Sequence, residues 1–192
     1  PWAKKNHRLL PMLMPLAIEQ FDLSKFDLVI SNSASFAKGV ITKTHTRHIS
    51  YCMTPTRYLW DDSHKYLEEF QHPLIIKKLT PLLLNYLRIW DQQASKRPDG
   101  FIAISEFVKQ RIKKYYNRPS MVVYPPVDTG RFKISSEIGD YFLMVGRLVP
   151  YKRFDLAIKV FNNLDWPLKI IGDGPQKKYL QKIAGKNVEF LG

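Results

Sequence analysis

Only one cysteine, Cys52, stands in 192 residues. A lone thiol excludes an internal disulfide framework and fits a reducing compartment, with a small buried hydrophobe as its default role. No run approaches the roughly 20 apolar residues that span a bilayer. The best, Leu9 to Ile18, is short and interrupted by Pro11 and Pro15. A secretory-signal pattern is missing too, as are repeats, low-complexity tracts, a Gly-x-Ser-x-Gly elbow and a Walker loop. The five histidines form no metal signature. His45 and His48 flank a strand start, His64 and His72 lie on or near a helical stretch, and no Glu or Cys stands at ligand spacing with them. A soluble chain without a metal is the expectation.

Acidic residues are the other shortage: 17 Asp and Glu against 30 Lys and Arg, a net charge of +13. Residues 1–134 hold 21 of the cations and 11 of the acids, so the excess lies mostly in the first part of the chain. It is densest in Lys109 to Arg118 (KQRIKKYYNR). A basic amphipathic helix there suits an anionic membrane surface or nucleic acid, and a merely solvated face suits it equally. A 45% hydrophobic content is ample for a core. The first residue is not Met and the last few look like a strand just ending, so the chain reads as a fragment cut at both ends.

Along the chain, strand and helix patterns alternate. Strands are expected at 27–31 (DLVIS), 48–52 (HISYC), 101–104 (FIAI) and 121–124 (MVVY). Helices are expected over 62–70 and over 74–95 with a kink or break at Pro81, and a third runs through Tyr116 with Ser105 as its N-cap. Pro125-Pro126 and the polar stretch to Gly139 read as a linker, with the boundary near residue 134. The pattern then restarts: strand 140–145, helix 151–164, strand 168–171, helix 175–184, strand 188–191. Asp140 to Val145 has the apolar density of a buried parallel strand. Such alternation means parallel βαβ units, hence α/β architecture in two doubly wound domains, 1–134 and 135–192, with ligands in a cleft between them.

The segment Gly146-Arg147-Leu148-Val149-Pro150-Tyr151-Lys152-Arg153 joins a strand to a helix and carries three cations. Positive side chains beside a helix N-terminus oppose its dipole, and Asp155 offsets them only in part. A bound phosphate or diphosphate would complete the arrangement; a solvated basic loop is the plainer alternative. Three further features fall in line: Ser105-Glu106-Phe107-Val108 after a strand, Tyr124-Pro125-Pro126-Val127-Asp128 with Arg131-Phe132, and Ile170-Ile171-Gly172-Asp173-Gly174-Pro175. In this order they resemble the retaining glycosyltransferases of the GT-B fold, of the group 1 or family 4 type that includes mannosyltransferases of O-antigen and exopolysaccharide assembly. The run Tyr51-Cys52-Met53-Thr54-Pro55-Thr56-Arg57-Tyr58-Leu59-Trp60-Asp61 is similar to the Tyr-Cys-His-Thr-Pro-x-Arg-Tyr-x-Trp-Asp segment of mannosyltransferase-like members.

The resemblance implies that Arg147 and Lys152 hold the donor diphosphate and stabilise the departing group without a metal. Gly146, Gly172 and Gly174 would belong to the donor site, the last two letting backbone approach the ligand. Asp173 reads as a turn residue before a catalyst. Arg57 and Asp61 are the candidates for sugar or phosphate contacts on the acceptor side, or form a local ion pair; Thr54 offers a hydroxyl to the ligand or caps the turn. Met53 stands where many relatives have His, and a thioether does no acid–base work. Front-face attack, with the departing phosphate as base, tolerates that change. The resemblance also places an acidic pair downstream of Gly192, so the 192 residues are expected to hold diphosphate weakly and not to turn over.

The expected activity is therefore hexosyl transfer, of mannose from GDP-mannose, to a lipid-linked or polysaccharide acceptor. No cofactor beyond the nucleotide sugar is expected, and the location is cytoplasmic, with peripheral contact at the anionic inner leaflet. Two competing readings are a sugar-nucleotide epimerase of the same fold, which needs cleft carboxylates beyond Asp61 and Asp62, and a nucleic-acid binder. Against the latter, the aromatics do not interleave with the cations.

Overall fold

Runs of β-branched and apolar residues, each followed by a turn and a helical stretch, become parallel strands in two separate sheets. The computed structural model describes residues 11–61, 63, 74–134 and 136–192. The chain divides into two units, the first ending at Val127 and the second covering Asp128–Gly192.

The first unit contains α1 (Met14–Glu19), β1 (Leu28–Ser33), β2 (Arg47–Cys52), α2 (Leu74–Ala94), β3 (Gly100–Ala103), α3 (Glu106–Tyr116) and β4 (Met121–Val122). Its sheet runs β1-β2-β3-β4, every pair parallel, with Ile30 opposite Ile49 and Cys52 opposite Ala103. Strand β4 is shorter than the expected 121–124 run. The helix expected over 62–70 lies, apart from Ser63, outside the described residues.

Of the kink or break expected at Pro81, the break does not occur: α2 continues through it to Ala94. The lost N–H and the ring clash cost about 3 kcal/mol in a helix interior. Burial of Leu84 and Leu87 against Leu59 offsets that cost. Helix α3 begins where the sequence indicated. Ser105 has extended backbone and its hydroxyl accepts the Val108 N–H at 3.2 Å, while Asn117 closes the other end in the left-handed conformation (φ 52°). Val108, Ile112 and Tyr116 then pack on Phe101, Ala103 and Cys52.

The second unit contains β5 (Phe142–Val145), α4 (Phe154–Leu164), β6 (Leu168–Ile171), α5 (Lys177–Ile183) and β7 (Val188–Phe190), with sheet order β5-β6-β7, all parallel. Leu148, Phe154, Ile158, Leu168, Ile170 and Leu180 form its core. Two expectations change here. The 140–145 run has the composition of a buried strand, yet Phe142, Leu143 and Val145 are half exposed or more. The reason is topological: among the described residues β5 has a neighbour on one side only. Nor is 151–164 one helix. A 3-10 turn spans Pro150–Lys152, Arg153 adopts φ 54°, and α4 starts at Phe154.

Candidate functional sites

In open α/β sheets ligands bind beyond the carboxyl ends of the strands, and every candidate from the sequence lies there. In the first unit, the loop leaving β2 carries Met53, Thr54, Arg57 and Asp61. Met53 is exposed. The Thr54 hydroxyl donates to the Pro55 carbonyl at 3.2 Å, as a turn cap does. Asp61 is fully engaged: one oxygen lies 2.5 Å from the Arg111 guanidinium and the other accepts the Tyr115 hydroxyl proton. That hydrogen bond and partial burial hold the Tyr115 phenol above its usual range.

Thr54, Arg57 and Asp61 form one wall of a cavity of about 620 Å³. Phe107, Gln110, Arg111, Lys114 and Tyr115 form the other. Those five recur at helical spacing, so one stripe of α3 supplies the whole wall. Arg111 is 8% exposed, and it also donates to the Pro55 carbonyl at 3.3 Å.

Thr56 and Trp60, from the same loop, point instead into the interior. Both bond Asp91 of α2, Thr56 through its hydroxyl and Trp60 through its indole N–H, each at 2.9 Å. Tyr116 donates to Asp91 at 2.8 Å, and Lys38 Nζ lies 2.5 Å from it. Lys38 and Asp91 are almost wholly buried. Burial, with Asp91 beside it, keeps the Tyr116 phenol protonated well above its usual range, and burial pushes the Cys52 thiol up to about 11. Half of the distinctive Tyr51–Asp61 run is thus an anchor for the fold and half lines the cavity.

In the second unit, two loops lock together at the carboxyl ends of β5 and β6. Gly146 N–H donates to Ile171, Leu148 N–H to Asp173 and Gln176 N–H to Leu148, at 3.0, 3.0 and 3.2 Å. Gly172 (φ 149°) and Gly174 sit where a side chain would overlap the backbone oxygens of Gly146 and Leu148 respectively. Their lack of a Cβ therefore serves loop-on-loop packing. Leu148 is buried, while its neighbour Arg147 and nearby Lys152 are exposed. Among the described residues the ion pairs here are Arg153–Asp155 (3.3 Å) and Lys177–Asp173 (3.9 Å). Among the described residues Arg147 and Lys152 have no carboxylate partner, and Lys152 lies over the Tyr151 ring.

Sequence reasoning missed Lys38, Asp91, Arg111, Lys114 and Tyr115 as members of these sites. Asp91 did carry a signal, since Leu74 to Trp90 contains no acid before it. The α3 residues lay inside the stretch noted for its charge. Their convergence on Asp61 depends on β2 and β3 being neighbours. Among the described residues no group of three or more His, Cys, Asp or Glu could hold a metal ion, and no helix is long and apolar enough to cross a membrane.

Comparison with known proteins places this geometry. Residues 128–192 match the family Glycosyl transferases group 1. An uncharacterised glycosyltransferase of Methanocaldococcus jannaschii is 30% identical over 111 residues, which is 55% of this chain and 31% of that protein. The chain thus spans about a third of the relative's length. The crystal structure of an S. aureus TarM mutant in complex with fondaparinux, alpha-GlcNAc-glycerol and UDP superposes with a TM-score of 0.52 at 15% identity, covering 83% of this chain and 34% of that one. At that identity the likeness shows the fold alone, an α/β fold of the GT-B type. Residues 1–131 match Glycosyltransferase Family 4, and the chain belongs to that family.

Proposed function

We propose that the protein takes part in transfer of a hexosyl group from a nucleoside-diphosphate sugar to a glycan or lipid-linked acceptor. Arg147 and Lys152 would receive the donor diphosphate. The observation that carries this reading is their state: two exposed cations, with no carboxylate partner among the described residues, on a loop whose backbone is fixed by hydrogen bonds to the loop after β6. Positive charge beside the leaving diphosphate is what the reaction requires as negative charge gathers on its oxygen. Arg supplies a planar fork of donors and Lys a mobile point charge. The family match and the UDP in the S. aureus structure support the donor class.

The chemistry we propose is metal-independent and retains anomeric configuration. The acceptor hydroxyl attacks the anomeric carbon on the face from which the diphosphate departs. The carbon–oxygen bond to phosphate breaks, the bond to the acceptor oxygen forms, and the acceptor proton passes to a leaving phosphate oxygen. Met53, exposed at the end of β2, supplies no base, and this route requires none there. Mannose as the sugar, GDP as the carrier and a cytoplasmic setting at the anionic inner leaflet complete the reading.

Calorimetric titration of GDP and UDP tests it. Arg147→Gln and Lys152→Gln should each weaken binding about tenfold or more, the loss of a charge-assisted hydrogen bond. Because both side chains are exposed, stability should stay within roughly 0.5 kcal/mol. Unchanged affinity in both variants would remove the diphosphate from this loop.

A further inference from the structure

The two acids at the interlocked loops of the second unit, Asp155 and Asp173, are each paired with a cation, but the pairs are not alike. Arg153 Nε donates to Asp155 at 3.3 Å, a directed hydrogen bond. Lys177 Nζ stands 3.9 Å from Asp173 Oδ1, beyond hydrogen-bond reach. The Asp173 side chain is 82% open to water and that of Lys177 33%. An ion pair so open contributes little to folding, because water and salt screen it. The Lys177 ammonium therefore keeps its N–H donors for another acceptor.

Backbone geometry brings this loosely held cation to the loop of Arg147. The Asp173 carbonyl accepts the Leu148 N–H at 3.0 Å, and the Leu148 carbonyl accepts the Gln176 N–H at 3.2 Å. Asp173 and Gln176 are thus both fixed on Leu148, whose chain neighbour is Arg147. Lys177 follows Gln176 directly, and its own N–H is bonded to the Gly174 carbonyl at 3.0 Å. Gly174 leaves no slack in this contact, since a Cβ there would lie 2.4 Å from the Leu148 oxygen. An exposed carboxylate at this place repels an arriving diphosphate, and the lysine beside it opposes that repulsion.

We propose that Lys177 is a third ligand of the donor diphosphate, held on Asp173 until the nucleotide arrives. On binding, its ammonium leaves Asp173 Oδ1 for a phosphate oxygen, a move that the flexible four-carbon stem permits. The exchange replaces a screened pair that has no hydrogen bond with a charge-assisted hydrogen bond to a more highly charged group. This role rests on the reading of Arg147 and Lys152 given above.

Calorimetric titration of GDP and UDP into the 192-residue chain tests it. Lys177→Gln should weaken both nucleotides about tenfold, the loss of one charge-assisted hydrogen bond. Asp173→Asn should tighten both roughly threefold, because nothing then competes for Lys177 and the loop sheds a negative charge. The double variant Lys177→Gln/Asp173→Asn should bind about tenfold more weakly than Asp173→Asn. That comparison separates contact from masking: a lysine that only neutralised Asp173 becomes dispensable once the acid is gone. Melting temperatures of all three variants should stay at the wild-type value, since the pair is screened. Lys182→Gln, which removes an exposed lysine further along α5, should leave nucleotide affinity unchanged.

Wild-type affinity in Lys177→Gln would overturn the proposal while leaving Arg147 and Lys152 in place. So would a double variant that binds like Asp173→Asn, an equal loss in Lys182→Gln, or a fall in melting temperature that accounts for the lost affinity. Unchanged affinity in both Arg147→Gln and Lys152→Gln, or no nucleotide binding by the wild-type chain, would overturn the donor reading itself and this inference with it.

Discussion

Arg111 and Asp61 of the first unit lie 2.5 Å apart, and Lys38 stands equally close to Asp91. In the second unit Arg147 and Lys152 have no carboxylate partner among the described residues. The supporting architecture differs as well. The first unit holds its loop with side chains, four of them converging on Asp91. The second holds its loops with backbone hydrogen bonds and glycines packed against carbonyl oxygens. A charge paired inside the protein is part of the fold, and removing its partner is felt in stability. An exposed, unpartnered cation contributes little to folding and keeps its interaction for a ligand. The comparison therefore separates residues whose loss unfolds the protein from residues whose loss disarms it.

The sharpest way to break the comparison is Asp91→Ala. It leaves Lys38 buried without a counter-charge and removes the acceptor of Thr56, Trp60 and Tyr116. A loss of roughly 3–5 kcal/mol is expected, read by urea denaturation through Trp60 and Trp90 fluorescence. A loss below 1 kcal/mol would show that the hub is not what anchors the β2 loop.

Next in size is Gly172→Ala. A methyl there meets the Gly146 oxygen, at a φ of 149° that side chains rarely adopt. Overpacking and backbone strain together should destabilise the second unit by roughly 2–4 kcal/mol, monitored through Trp166. Nucleotide affinity should fall with it, because the loop bearing Arg147 loses its support. A stable Gly172→Ala protein with impaired nucleotide binding would instead favour the ligand-approach role that the sequence suggested.

The smallest effect is a pH dependence confined to the first unit. His48 is fully buried, with Nε2 2.9 Å from the Ser31 hydroxyl and its backbone N–H on Asp99. Burial lowers its pKa, and the nearby Asp99 charge opposes this in part. The unfolded chain therefore takes up the proton first. Stability is full above the ordinary histidine value of about 6.5 and falls as pH drops through it towards the lowered folded value. Denaturation midpoints between pH 7.5 and 5 should show this slope, and His48→Gln should flatten it. A slope that survives the substitution would assign it to another group.

Much of the fold was legible. The apolar runs, the Ser105 cap and the glycine-proline turns marked seven parallel strands and their helices, since those are properties of a few consecutive residues. Arg147 and Lys152 were legible as a diphosphate candidate for the same reason: cations on a strand-to-helix turn are a local pattern. The exposure of β5 was not, because density of apolar residues does not state how many neighbours a strand has. That α2 runs on through Pro81 was not legible either, because the compensation for a proline lies in the burial of Leu84 and Leu87 against Leu59, far away in sequence. The Tyr51–Asp61 run was legible as important but not divisible into its halves. Which side chains turn towards Asp91 and which towards the cavity depends on where α2 and α3 pack.

What local chemistry alone decided, then, was the α/β class, the turn positions and the presence of cations at strand ends. Those follow from periodicity, capping and φ preference within a window of about ten residues. Only the tertiary structure decided that Asp61 belongs to Arg111, that Asp91 is a buried hub, and that Gly172 and Gly174 make room for a neighbouring loop. Each of these joins residues 20 or more positions apart, or sets one backbone against another. Hydrogen bonds and excluded volume act through space, and the order of residues along the chain does not state which of them will meet.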